Sequence, residues 1–378
     1  MLRIPDYGTG ALADVGPALL ASLGVAGERN ALDLSDTARA CLFVVDGLGW
    51  TGLRKHIDAA PFLSSLAGRP LTAGFPSTTV TSLASLGTGL PAGEHGLTGY
   101  TTYIASVGSV VNWLAWRSVG DNVDLRDVVV PEELQPKPTI WERADAAGIA
   151  TTVCTFDNFA GSGLTRAVLR GGRWGGTYAE GDAVARAVEA ASQGNRSLVY
   201  VYVSALDLVG HMRGPDTAAW QAQLAIVDRI AQRLVEDMEP GVDVYVTADH
   251  GMVAVHDEAR VDFDSTPALQ DGVVALAGEP RMRHVHVRAG ATNAVRDAWC
   301  EVLGDGWEVI LRDDAVAAGL FGPVVTPAAL ARIGDVIALA TDHGGVVERR
   351  KMPRLAAMPG HHGSLTDDEL LVPLLSSR

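Results

Sequence analysis

Cysteine and long apolar runs are both scarce in this chain. The 378 residues include three cysteines, Cys41, Cys154 and Cys300, which are far apart and form no C-x-x-C pair. This excludes a disulfide scaffold and favours a reducing compartment. No uncharged apolar run reaches about 18 residues, and Asp6 and Asp14 interrupt what would be a signal peptide. We therefore expect a cytoplasmic protein without a membrane partner.

Basic residues are also in deficit. The chain has 30 Lys and Arg against 45 Asp and Glu, a formal charge of -15. A general nucleic-acid surface depends on clustered basic residues that meet phosphates, so we expect no nucleic-acid partner. The sequence also lacks a Walker phosphate-binding loop. If the ligand is an anion, the positive charge that binds it must be local.

The chain is rich in alternating strand and helix patterns. Its hydrophobic content of 47% predicts a well-filled core. Four unbroken apolar runs are typical of buried parallel strands, namely ACLFVVDG (40–47), ATTVCTF (150–156), SLVYVYVSALD (197–207) and VDVYVTAD (242–249). Between these runs, apolar residues recur at helical spacing in PTIWERADAAGI, YAEGDAVARAVEAAS and DTAAWQAQLAIVDRIAQRLVEDM. The pattern predicts an α/β fold, a mostly parallel sheet flanked by helices on both faces.

The sequence texture changes after His256. A strand, a helix and a strand are predicted in RMRHVHV, TNAVRDAWCEVLG and WEVILRDDAVAAGLFG, before GDVIALATD leads back towards the core. We therefore predict a small inserted α+β lobe at 256–340, on the substrate side, and a core formed by 1–255 and 341–378.

Acidic side chains end three of the predicted strands. Asp46, Asp207 and Asp249 occupy these ends, with His211 four residues after Asp207 and His250 directly after Asp249. One such Asp is usually a turn or a helix cap, but three at the same sheet edge suggest a common role. Asp-x-x-x-His allows two ligands to converge on one cation, and mixed Asp and His ligation fits zinc or manganese.

Two further segments carry polar groups that suit this edge. The first is a Ser-Thr-Thr turn, Ser77 to Thr79, before a helical run; it is read as an N-cap or as hydroxyls at the positive end of a helix dipole. The second is the glycine-flanked pair His361 and His362, which supplies another imidazole.

These segments resemble the type I phosphodiesterase and nucleotide pyrophosphatase branch of the alkaline phosphatase superfamily. The resemblance rests on VVDGLGW, GTGLPAGEHGLTGY, DLVGH, TADHGM and HHGS, in family order over most of the chain. It implies two divalent ions at the sheet edge and a Thr nucleophile, Thr79, that attacks phosphorus. The implied ligands of one ion are Asp46, Thr79, Asp249 and His250. Those of the other are Asp207, His211 and His362.

Two positions and the substrate contacts stay open. Thr78 or His361 could take the role given to Thr79 or His362. The family's phosphate-binding Asn falls at Tyr100, which leaves the phosphate clamp undefined. Candidate substrate contacts are Tyr100, Trp113, Arg281 and Arg283, since aromatic rings stack on bases and guanidinium groups pair with phosphate. The alternatives are that Trp113 packs in a core and that the two arginines face solvent.

The implied function is a two-metal phosphodiesterase that acts on a small-molecule nucleotide through a phospho-threonine intermediate. The chain looks like the actinobacterial enzymes that cleave cyclic di-AMP through pApA to AMP, so cyclic di-AMP is the leading substrate. The alternatives are a phosphonoacetate hydrolase, a phosphomonoesterase, and a metal-stabilised binding protein without turnover. The sequence leaves the native metal and the oligomeric state open.

Overall fold

Two main sheets organise the computed structural model, which describes residues 3–378. The strands are β1 Arg39–Val45, β2 Ala67–Thr72, β3 Thr101–Ile104, β4 Ser109–Asn112, β5 Arg117–Ser118, β6 Ala150–Phe156, β7 Arg173–Thr177, β8 Ser197–Val203, β9 Val242–Thr247, β10 Val253–Ala254, β11 Arg260–Asp262, β12 Val273–Glu279, β13 Met282–Val287, β14 Trp307–Leu311, β15 Val336–Ala340, β16 Gly345–Val347, β17 Gly360–His361 and β18 Leu371–Ser376. The helices are α1 Val15–Ser22, α2 Trp50–Lys55, α3 Pro61–Ser65, α4 Thr79–Thr88, α5 Ala92–His95, α6 Pro131–Leu134, α7 Ile140–Ala146, α8 Gly163–Val168, α9 Glu180–Ala191, α10 Ala205–Arg213, α11 Ala218–Asp237, α12 Pro267–Gln270, α13 Thr292–Leu303, α14 Arg312–Ala317, α15 Pro327–Leu330, α16 Pro353–Ala357 and α17 Asp367–Leu370.

The larger sheet has seven strands in the order β2-β18-β9-β1-β8-β6-β7. Strands β9, β1, β8, β6 and β7 are parallel to one another, and β18 runs antiparallel to both β9 and β2. Every residue of β8 and β9 is buried, because helices cover the sheet. The predicted α/β fold with a mostly parallel sheet is confirmed, and all four predicted strands are present.

The predicted helices also form, with identifiable start signals. Helix α7 begins at a capping box, in which Thr139 and Glu142 bond each other's backbone N–H groups at 2.8 and 3.1 Å. Helix α11 begins after Thr217, whose hydroxyl accepts from the backbone N–H of Trp220 at 3.3 Å. No helix between residues 3 and 378 is long and apolar enough to cross a membrane.

The smaller sheet is antiparallel, with the order β12-β13-β15-β14. Its hydrophobic cluster, separate from that of the larger sheet, consists of Leu269, Leu276, Val285, Val295, Trp299, Val336, Ala338 and Val346. The predicted strand, helix and strand form as β13, α13 and β14. The segment expected to lead back to the core instead forms β15, which pairs with strands on both sides. The lobe boundaries at 256 and 340 stay a prediction, and residues 1 and 2 of the predicted core lie outside the described residues.

One predicted strand is shorter than expected. The strand predicted over 197–207 ends at Val203, and Ser204 precedes the helix α10. Asp207 therefore lies in the first turn of α10 instead of at the end of β8. At this point the sequence changes from β-branched and aromatic residues, which favour a strand, to Ala-Leu-Asp-Leu.

Candidate metal centre

Three neighbouring strands deliver carboxylates to one edge of the larger sheet. Asp46 directly follows β1, Asp249 lies two residues after β9, and Asp207 lies in α10 after β8. Strand β1 pairs with both β8 and β9 in parallel, so the three carboxyl ends lie side by side. The sequence thus places three acidic groups where α/β sheets bind ligands.

Gly47 allows these segments to approach one another. Its φ of +76° lies in the left-handed region, and an added Cβ would lie 2.9 Å from the Cα of Asp207. Its backbone N–H also donates to Oδ1 of Asp249 at 3.1 Å. One glycine therefore ties the turn after β1 to both neighbouring carboxylates.

The first candidate cluster consists of Asp46, Asp249 and His250, all buried, with one ligand atom of each within 4.8 Å of the others. Nε2 of His250 lies 3.5 Å from Oδ1 of Asp46 and 3.5 Å from Oδ2 of Asp249. Nδ1 of His250 bonds the carbonyl of Gly251 at 2.9 Å, which places the ring proton there and leaves the lone pair of Nε2 free for a cation.

The second candidate cluster consists of Asp207, His250 and His362, whose ligand atoms also lie within 4.8 Å of one another. His211, predicted as the third ligand, lies beside it, with Nε2 3.4 Å from Oδ1 of Asp207. His211 and His362 also bond carbonyls through Nδ1, those of Gly360 at 2.8 Å and Ser77 at 2.9 Å. The His250 and His362 rings stack with centroids 3.6 Å apart, so the two clusters adjoin.

The buried carboxylates fit divalent cations. Oδ1 of Asp46, Oδ1 of Asp207 and Oδ2 of Asp249 are buried without a hydrogen-bond partner. Burial, followed by the charges of Asp249 and Asp207, raises the pKa of Asp46 well above its usual range, and burial raises the pKa of Asp249. Several unpaired acceptors beside free imidazole nitrogens suit zinc or manganese, because cations remove the repulsion between the carboxylates.

A hydroxyl lies next to the first cluster. Thr79 begins α4, and its Oγ1 is 3.1 Å from Nε2 of His250. The hydroxyl of the preceding residue, Thr78, instead lies beside the carboxyl of Glu279. Thr79 is thus the hydroxyl that lies against the first cluster, at the positive end of a helix, and its role as the nucleophile stays a prediction.

The two C-terminal histidines also differ in their surroundings. Nε2 of His361 is engaged by the carbonyl of Met358 at 2.9 Å. Nε2 of His362 has no such partner and lies 4.0 Å from Oδ1 of Asp207. Of the two, His362 belongs to the second cluster, and its role as a ligand stays a prediction.

A cavity of about 380 Å³ opens onto the two clusters. The polar part of its wall includes Thr79, Tyr100, Glu279 and His362. Its apolar part includes Leu83, Leu114, Phe159, Leu164, Leu208 and Met358. Among the described residues, no Lys or Arg lines it. Such a cavity suits an organic group attached to a phosphate at the metal centre.

Three predicted substrate contacts are corrected by the structure. Trp113 is buried against Trp116, and its indole N–H donates to Oγ1 of Thr102 at 2.8 Å. Both guanidinium groups of the smaller sheet are buried and bonded to protein: Arg281 pairs with Glu369, and Arg283 donates to the carbonyl of Val346. None of the three predicted contacts lines the cavity; Tyr100 does, and its hydroxyl accepts from Asn112 at 2.6 Å.

Sequence reasoning missed three residues of the site. Tyr202 of β8 donates its hydroxyl proton to Oδ2 of Asp46. Glu279, at the end of β12, has one carboxyl oxygen 3.4 Å from Nδ1 of His362 and the other buried without a partner. Phe159 forms part of the apolar wall. The alternation in VYVY places Tyr202 on one face of its strand, whereas Glu279 and Phe159 have no local signal of this kind.

The comparisons agree with this geometry. The family described as type I phosphodiesterase / nucleotide pyrophosphatase matches residues 40–365. No curated protein matches the sequence. Among solved structures, murine ectonucleotide pyrophosphatase / phosphodiesterase 5 is similar, with a TM-score of 0.70 and 17% identity over 89% of this chain and 87% of that one. An inactive variant of the murine protein in complex with AMP gives the same values. Human ectonucleotide pyrophosphatase / phosphodiesterase 5 has a TM-score of 0.69 and 18% identity, with the same coverage of both chains. At such identity, the likeness shows a shared fold.

Proposed function

This chain belongs to the type I phosphodiesterase / nucleotide pyrophosphatase family, a family of metal-dependent hydrolases, and from this premise we propose that it cleaves nucleotide phosphodiesters through a phosphorylated Thr79. The observation that carries the proposal is the position of the Thr79 hydroxyl, 3.1 Å from Nε2 of His250 and at the edge of two ligand clusters. A hydroxyl in this position is a nucleophile only if its proton is removed or its pKa is lowered.

We assign the ligands to two cations. Asp46, Asp249 and His250 would hold one next to Thr79, and Asp207, His211 and His362 would hold the other. Bound cations lower the pKa of an adjacent hydroxyl and stabilise charge that develops on a leaving oxygen. In the proposed reaction the Thr79 oxygen attacks phosphorus in line and the bond from phosphorus to the leaving nucleoside oxygen breaks, which leaves a nucleotidyl ester on Thr79. Water then attacks the same phosphorus and releases the nucleotide, which restores the Thr79 hydroxyl. The first backbone N–H groups of α4 would donate to the phosphate oxygens.

The proposed substrate is a nucleotide diester. The apolar wall with Phe159 offers a face for a base, and the solved relative with AMP supports a nucleotide ligand. The sequence resemblance supports cyclic di-AMP, cleaved through pApA to AMP, as the specific substrate. The three free cysteines support the proposal that this occurs in the cytoplasm.

A substrate panel tests the proposal. The purified protein with manganese or zinc is incubated with cyclic di-AMP, pApA, a dinucleoside polyphosphate, bis-p-nitrophenyl phosphate, p-nitrophenyl phosphate and phosphonoacetate, and the products are separated. We expect cyclic di-AMP and pApA to yield AMP. Turnover of only the monoester or only phosphonoacetate would replace the proposal by one of the alternative hydrolases, and bound metal without any turnover would indicate a binding protein.

A pair of neighbouring variants tests the nucleophile. We expect Thr79→Ala to bind metal normally and to lose activity by on the order of 10⁴-fold, because the covalent step needs its hydroxyl. Thr78→Ala is the matched control, since it removes the neighbouring hydroxyl, which lies beside Glu279, and it should keep most of the activity. The assignment fails if Thr79→Ala turns over at the wild-type rate.

A further inference from the structure

Arg281 connects the smaller sheet to the segment that carries His362. It lies in the turn between β12 and β13 and is fully buried. Its Nε and Nη2 donate to the two carboxyl oxygens of Glu369 at 3.0 and 2.7 Å, and its Nη1 donates to the carbonyl of Gly344 at 2.9 Å. This two-point contact uses the planar guanidinium, which a lysine ammonium does not reproduce.

Glu369 then contacts the segments after both ligand histidines. Its Oε1 accepts from the backbone N–H of Ser364, two residues after His362, at 3.1 Å. Its own carbonyl accepts from the backbone N–H of Gly251, directly after His250, at 2.8 Å. An added Cβ at Gly251 would lie 1.9 Å from the carbonyl oxygen of Asp368, so the two segments are in close contact.

Short hydrogen bonds complete the path to the imidazole. The hydroxyl of Ser77 donates to the carbonyl of Ser364 at 2.6 Å, and the carbonyl of Ser77 accepts from Nδ1 of His362 at 2.9 Å. The bond at Nδ1 fixes both the ring orientation and the tautomer that leaves Nε2 free. Every link between Arg281 and His362 is therefore buried and directional.

We propose that Arg281 and Glu369 are a positioning pair, which holds the His362 segment and the turn after His250 in the geometry that binds the cations. The inference rests on the metal role given to these histidines in the proposed function. It makes the smaller sheet a support of the metal centre, although Arg281 itself does not line the cavity.

The chain provides a matched control in Arg283. It lies on β13, two residues after Arg281, and is also buried. Its guanidinium donates to the carbonyl of Val346 and forms no hydrogen bond with Glu369 or with the His362 segment. Arg281→Lys and Arg283→Lys thus make the same chemical change two residues apart, and only the first change breaks the path.

The test measures metal binding by the full-length chain, apart from turnover. Wild type, Arg281→Lys, Arg283→Lys and Glu369→Gln are titrated with cobalt, and the affinity and visible spectrum of each bound ion are recorded alongside thermal unfolding, kcat and KM. We expect Arg281→Lys and Glu369→Gln to weaken the binding of at least one ion by about 10- to 100-fold, with an altered spectrum, and excess metal to restore kcat. Arg283→Lys should bind as wild type does.

The positioning role of the pair would be refuted if a folded Arg281→Lys or Glu369→Gln protein bound cobalt with wild-type affinity and spectrum. Equal losses of cobalt affinity in Arg281→Lys and Arg283→Lys would also refute it. Glu369→Gln keeps the shape of the side chain and an acceptor for Ser364, so it remains informative if Arg281→Lys does not fold. A wild-type protein that binds cobalt as expected but cleaves no diester would refute the proposed function and leave the positioning pair intact.

Discussion

Asp46 shows how a single buried residue couples the metal centre to stability. It accepts from Tyr202, while its other carboxyl oxygen faces Nε2 of His250 at 3.5 Å without a hydrogen bond. Burial and the charges of Asp249 and Asp207 raise the pKa of Asp46 above its usual 3.8. Without a cation, the ionised side chain therefore opposes folding.

This gives a pH prediction for the metal-free protein. Below the usual carboxyl pKa, Asp46 is protonated in both states. As the pH rises from about 4, the unfolded chain loses this proton first, so the folded state loses stability up to the raised pKa. We expect metal-free Asp46→Asn to be more stable than wild type at neutral pH, by a margin that shrinks towards pH 4. Urea unfolding of both proteins between about pH 4 and pH 8 measures this difference in the free energy of unfolding.

The control for this prediction is Asp305→Asn, which removes a solvent-exposed carboxylate. Its effect on the free energy of unfolding should be small at every pH. A gain of Asp46→Asn that does not change with pH would contradict the raised pKa. Added zinc should stabilise wild type more than Asp46→Asn, because the variant lacks a charged ligand.

Single residues differ in how well the sequence predicts them. The positions of Asp46 and Asp249 could be predicted, because each follows a strand whose apolar pattern is unmistakable. Arg281 looked like a substrate contact because arginines pair with phosphate, but Glu369, 88 positions away, accepts from two of its guanidinium nitrogens and the carbonyl of Gly344 from the third. No local pattern shows such a partner, and the same is true of Glu279.

At the scale of elements, α10 is the segment that presents two ligand candidates. Asp207 and His211 are four residues apart, so they lie on one face of the helix, with Oδ1 and Nε2 separated by 3.4 Å. The motif Asp-x-x-x-His predicted this convergence. The predicted length of β8 was wrong. β-branched and aromatic residues continue to Val203, and the change to a helix at Ala205 depends on packing against α11 and β17.

We predict that His211 is required to bind the second cation. His211→Ala should lower the metal content from two ions to one per chain after dialysis, as measured by atomic emission, and should lower activity at least about 10-fold. His361→Ala is the matched control, because its ring lies 6.1 Å from that of His211 and its Nε2 bonds Met358. Two retained ions in His211→Ala would show that His250, His362 and Asp207 suffice.

At the scale of the whole molecule, the cavity combines segments that are far apart in sequence. Asp46 comes from the larger sheet, Leu114 from the loop after β4, and Glu279 from the smaller sheet. The sequence predicted the larger sheet and an inserted α+β lobe, but their relative placement depends on long-range packing that no periodic pattern reports. The absence of Lys and Arg from the described lining thus emerged only from the structure.

That lining predicts selectivity for diesters. A phosphomonoester carries additional negative charge at neutral pH, which no guanidinium or ammonium group in the described lining would neutralise. We expect kcat/KM for bis-p-nitrophenyl phosphate to exceed that for p-nitrophenyl phosphate by roughly 10- to 100-fold, equivalent to one missing charge-assisted hydrogen bond.

A variant at the wall tests the cause. Leu114 is 45% exposed, so a long polar side chain fits there without filling the core. Leu114→Arg should raise the relative rate on the monoester, whereas Leu114→Met, which changes shape but not charge, should leave the ratio as it is. The explanation fails if both variants change the ratio equally.

The position of β18 has a consequence for biosynthesis. This strand, Leu371–Ser376, lies between β9 and β2, and it is the partner through which β2 pairs with the rest of the sheet. A ribosome releases Thr79 and Asp46 long before it releases His362 and β18. A growing chain would therefore hold the proposed nucleophile with an unfinished sheet and an incomplete set of proposed ligands, so we expect hydrolysis to begin only after β18 has been inserted.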